Sequence, residues 1–220
     1  DLHRRAMHRF VEEEANRQEN MEEITKKSIP LLEEQSDPAK MENDWVTNFF
    51  DKSRIVSDEG MQAIWANVLA GEANTPGSFS RRTVNLLGDL DKRDADLFQT
   101  LCRFGWAVGN FTPLIFDSQA SIYNELGINF NSLSHLNSLG LIQFNSLSGF
   151  SRQGLPKSFA VAYCGQPLPL EIKDGQENKL SIGQILLSQA GQELSQVVKV
   201  PGVEGFYDYV KDQWKAHVPS

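Results

Sequence analysis

Apolar residues at Met61, Ile64, Trp65, Val68 and Leu69 recur every three or four positions and make one broad stripe, with Ala63, Ala66 and Ala70 beside it. That period is helical, and a stripe of this width must be covered by other elements. Ser57 is a suitable N-cap, Asp58 and Glu59 place negative charge at the positive end of the helix dipole, and Gly71 is expected to stop the helix in a left-handed turn. A loop from Glu72 to Gly77 follows, and Ser78 or Ser80 caps a second helix with Val84, Leu86, Leu87 and Leu90. Asp91 or Asp94 starts a third, with Leu97, Phe98, Leu101 and Cys102 turned inward. Short helices joined by loops this tight hold together only by packing on one another.

The same stretch carries a family resemblance. Asp51-Lys52-Ser53-Arg54, Val56-Ser57-Asp58-Glu59, Met61-Gln62, Trp65-Ala66, Leu69-Ala70-Gly71-Glu72 and Pro76-Gly77-Ser78-Phe79-Ser80 with Arg82-Thr83 resemble the bacterial family known as domain of unknown function 2806. The likeness is dense over roughly residues 45 to 100 and looser toward the C-terminus. It implies no activity, cofactor or catalytic residue.

Residues 1–35 are strongly charged and read as helical, with Leu2, Ala6, Phe10 and Val11 at one end and Met21, Ile24, Leu31 and Leu32 at the other. A heptad through Met7, Phe10, Glu14, Arg17, Met21, Ile24, Ser28 and Leu31 meets polar residues at half of its seam, which argues against a strong coiled coil and leaves dimerisation through the two ends. Glu12-Glu13-Glu14 reads as a solvated face. Pro30 interrupts the helix, and Ser36-Asp37-Pro38 opens the next one, which carries Met41, Trp45, Val46, Phe49 and Phe50 for Trp65 to pack against.

Beyond Leu101 the pattern changes. Arg103 to Val108 is expected to end the third helix, and Asn110 to Phe116 to form an apolar connection broken by Pro113. Short helices over Ser121–Leu126 and Asn131–Leu139 are each stopped by glycine, at Gly127 and Gly140. Strands follow at Leu141–Phe144, Phe159–Cys164 and Leu168–Ile172, then a turn at Asp174-Gly175, an extended run from Lys179 to Leu187, and a helix opening at Ser188. This order resembles a winged-helix domain. The expected fold is therefore mainly α: a charged helical arm (1–36), a helical bundle (37–110), a winged-helix-like α+β unit (111–200), and a C-terminal helix (201–220) carrying Phe206, Tyr209, Val210 and Trp214 and packing back on the bundle.

The chemistry available is narrow. A net charge of −8 discourages non-specific attraction to nucleic acid or anionic lipid. A winged helix would present Asn131, Ser134, His135 and Asn137 to bases, yet no lysine or arginine lies between Arg103 and Arg152 to meet phosphate. Nucleic-acid binding would instead need a basic patch joining Arg81, Arg82, Lys92 and Arg93. Ser78, Ser80, Arg81 and Arg82, after Pro76-Gly77, form a candidate anion or partner site, against the plainer reading of a capped helix with paired arginines.

The four histidines are scattered, with none in a metal-ligand spacing, and the two cysteines, Cys102 and Cys164, are isolated, as in a reducing cytoplasm. Trp45, Trp65, Trp106, Phe49, Phe50, Phe98 and Phe104 read as core. No apolar run spans a bilayer, and because the chain starts at Asp1 rather than Met, an anchor or effector domain could precede it. The expectation is a cytoplasmic, non-catalytic interaction or regulatory module, without metal or cofactor, that binds a protein partner or itself through the first or last helix. A winged-helix nucleic-acid-binding regulator and a scaffold part of an antiphage-defence effector are the alternatives.

Overall fold

A computed structural model describes residues 1–172 and 178–219. About half of the chain is helical, with a long N-terminal helix and small antiparallel sheets. Contacts divide it into two compact units, residues 1–92 and 93–220. The turn expected at Asp174-Gly175 lies outside the described residues.

The first unit consists of α1 (Leu2–Ser28), α2 (Asn43–Ser53), α3 (Glu59–Asn74) and α4 (Arg81–Gly88). Pro30 does end α1, which passes into a single 3-10 turn at Ile29–Leu31. Pro38 opens a second 3-10 turn rather than α2 itself, because the chain becomes extended at Met41 and Glu42. The core is aromatic: Trp45 stacks on Phe49 at 5.1 Å, and Phe49 meets the edge of Trp65 at 5.1 Å. Only the C-terminal part of α1 joins this core, through Ile24 and Ser28; nearly everything before Arg17 is exposed.

Two details of α3 differ from expectation. Asp58, not Ser57, is its N-cap, accepting from the Met61 amide at 3.0 Å. Gly71 does not stop it, and the helix continues to Asn74. The extra turn is held from outside: the Ala73 carbonyl accepts from the Asp37 amide, while the Asn74 side chain accepts from the Glu33 amide and donates to the Leu31 carbonyl. These contacts outweigh the local preference of glycine for a stop, and the chain turns at Pro76-Gly77 instead.

In the second unit α5 (Lys92–Cys102) leads into a four-stranded antiparallel sheet in the order β2-β1-β5-β6. Its strands are β1 (Gly105–Val108), β2 (Asn110–Pro113), β5 (Ser158–Tyr163) and β6 (Gln166–Glu171). The expectation that residues 103–108 finish a helix is corrected here: α5 ends at Cys102, and β1 and β2 form a hairpin turning at Gly109, whose φ of +73° suits glycine. Trp106 and Val108 point inward and Ala107 outward, the alternation of a half-buried strand.

Between these strands lie α6 (Ser121–Asn124), α7 (Phe130–Ser138), β3 (Ile142–Phe144) and β4 (Phe150–Gln153); after them come β7 (Lys179–Gly183), β8 (Ile185–Leu187), α8 (Gln189–Ser195) and α9 (Phe206–Gln213). β3 pairs with β8 and β4 with β7, both antiparallel, so these ladders enclose the β5–β6 hairpin in sequence. The run from Lys179 to Leu187 is two strands because Gly183 (φ +92°) turns the chain against the Ile115 backbone and Gln184 donates its amide to the Ile115 carbonyl at 2.6 Å. The described aromatic partners of α9 lie in its own unit: Phe206 on Phe104 at 5.0 Å, and Trp214 on Trp106 at 5.6 Å, with Trp214 Nε1 donating to the Ser181 carbonyl at 2.8 Å.

Candidate functional site

The loop before α4 is organised by a buried acid. Glu72 is 3% exposed, and its two carboxylate oxygens accept from the backbone amides of Gly77 (2.6 Å) and Phe79 (2.9 Å). The amides that an external anion would seek at this loop thus already face an anion of the chain itself. Trp45 Nε1 donates to the Phe79 carbonyl at 2.6 Å and fixes the far side of the loop. Of the alternative caps Ser80 is used, accepting from the Thr83 amide at 3.2 Å, while the Ser78 hydroxyl donates to the Thr75 carbonyl. Arg81 and Arg82 point to solvent, and Arg81 lies 3.9 Å from Asp44. Lys92 pairs with Asp58 at 3.0 Å. The Asp58 carboxyl is held below its usual range, first by the Met61 amide and then by Lys92.

The outer face of α7 is also committed internally at two places. His135 Nε2 lies 2.6 Å from Asp94 Oδ1, tying α7 to α5, and the Asn137 side-chain oxygen accepts from the Phe144 amide at 2.9 Å. Asn131 is exposed and Ser134 half-buried. Asn129 caps the helix in a capping box with Ser132. A helix reading bases needs free donors and acceptors on its outer face, whereas His135 Nε2 and the Asn137 side-chain oxygen are engaged within the unit. The His135–Asp94 pair joins residues 41 apart in sequence, and no local pattern announces it.

One hollow assembles residues that sequence spacing kept apart. Tyr163, Cys164, Gln166, Gly202, Val203, Gly205, Tyr207 and Asp208 line about 360 Å³. Hydrogen bonds tie its floor: the Tyr163 hydroxyl donates to the Arg103 carbonyl at 2.8 Å and accepts from the Val203 amide at 2.5 Å, while the Arg103 guanidinium donates to the carbonyls of Pro201 and Gly202. Cys164 is exposed at the tip of the β5–β6 turn with a φ of +48°, next to Gly165 at +83°, the left-handed pair of a type I′ hairpin turn. Cys102 is buried, and that burial pushes its thiol pKa up, away from the reactive thiolate. Among the described residues no group of three His, Cys, Asp or Glu side chains could hold a metal ion.

The remaining candidate is a surface. On α1, Leu2, Met7, Phe10 and Val11 are 69%, 64%, 60% and 55% exposed. Phe10, Arg17 and Ile24 are seven residues apart, so the helix face that packs into the bundle at Ile24 continues outward to Phe10 with nothing of its own unit to cover it. By contrast Phe206 and Val210 of α9, and Trp214 at its C-cap, are buried. Of the two end helices expected to offer apolar faces, the first therefore exposes one. No helix among the described residues is long and apolar enough to cross a membrane.

The sequence profile of a family described as protein of unknown function (DUF2806) matches residues 4–211, nearly the whole chain. No curated protein and no solved structure matches.

Proposed function

We propose that this chain, which belongs to the DUF2806 family of proteins of unknown function, is a non-catalytic cytoplasmic interaction or regulatory module that docks a protein through α1. The observation that carries this reading is the exposed line of Leu2, Met7, Phe10 and Val11 on a helix whose C-terminal part packs normally. Large apolar side chains grouped on one projecting element cost free energy in water and mark contact surfaces in monomeric folds. The exposed stretch of α1 before Arg17 is about 15 residues, a length at which an isolated helix is marginal in water, so this part of α1 gains most from a partner.

The second unit supports the role of a frame. Its order of α5, the bridge at Ile115, α6, α7 and the paired ladders β3–β8 and β4–β7 suits a winged-helix-like unit enlarged by the β1–β2 and β5–β6 hairpins. The internal use of His135 and Asn137 favours protein contact over base reading by that unit, and the Glu72-filled loop favours a structural role for Ser78 and Ser80 over capture of an anion. A part in a defence effector would fit such a scaffold, and rests on the same surface.

The test compares wild type with Phe10→Glu and with the double variant Arg81→Ala/Arg82→Ala, each immobilised and exposed to lysate, alongside a duplex-DNA titration at low salt. Loss of the bound proteins with Phe10→Glu alone, and a flat DNA titration, is the expected result. Binding that ignores Phe10, or DNA binding that falls steeply with salt, overturns it.

A further inference from the structure

We draw no further inference here: the strongest candidate, the exposed apolar face of Leu2, Met7, Phe10 and Val11 on α1, belongs to the surface already described, and nothing in the structure shows what covers it.

Discussion

Replacing Glu72 separates a built-in anion from a vacant anion site. Glu72→Ala removes the acceptor of two short hydrogen bonds from Gly77 and Phe79 while the loop stays tethered by Trp45 Nε1 on the Phe79 carbonyl. A hydrogen bond to a charged group contributes about 1.5–3 kcal/mol, and Glu72 makes two, but the loop can relax and water can reach the half-buried Gly77 amide. The expected loss is therefore about 2–4 kcal/mol in the denaturation of the first unit, with faster hydrogen exchange at the Gly77 and Phe79 amides. Glu72→Gln keeps one acceptor oxygen and turns an amide NH₂ toward a backbone donor, so it recovers part of that loss. A small carboxylate should fill the gap left by alanine. Formate at fivefold its dissociation constant restores about 1 kcal/mol to Glu72→Ala and leaves wild type unchanged. The reasoning is refuted if Glu72→Ala is as stable as wild type, or if formate or phosphate stabilises wild type as much as the variant.

Other positions give further checks. A Cβ on Gly183 would lie 2.3 Å from the Ile115 carbonyl oxygen at a φ of +92°, so Gly183→Ala should cost more than the roughly 1–2 kcal/mol of a left-handed alanine and separate β7 from Ile115, as amide exchange at Gln184 would show. Trp214→Ala empties a site 2% exposed and removes the indole donor to the Ser181 carbonyl, and about 3–5 kcal/mol of stability should be lost in a urea titration. The Asp58 carboxyl is lowered in the folded chain, so its contribution is present above the unfolded value of about 3.9 and is lost as pH falls through the folded one. Acid titration of Asp58→Asn should be flatter than that of wild type in that window, and identical curves would contradict the assigned Met61 and Lys92 contacts.

Local chemistry made some elements legible and hid others. Ser80, Gly127, Gly140 and Ser188 mark element ends that short-range rules identify, because a cap or a left-handed glycine acts within one turn. Gly71 misleads since Asn74 and Ala73 are held by residues 31–37, some forty positions away. The β1–β2 hairpin carried a signal, Trp106 and Val108 alternating with Ala107 before Gly109-Asn110, but it follows α5 so closely that the apolar run reads as more helix. β4 is short and polar, and only its distant partner β7 defines it.

Of the candidate site, the apolar end of α1 was visible in Leu2, Phe10 and Val11, whereas the His135–Asp94 contact was not. Glu72 offered a clue: an acid in the last turn of a helix opposes the dipole and needs a donor nearby.

The nesting of strands in the second unit sets an order of assembly. β3 waits for β8 and β4 for β7, while β1 waits for β5, so a nascent chain that has just released the β5–β6 hairpin still has two open ladders. Loops must close over long separations before those contacts form, which slows folding relative to a helical bundle of similar size. A ribosome pausing before Leu187 would hold a chain with bare strand edges, and truncations ending there should aggregate rather than fold.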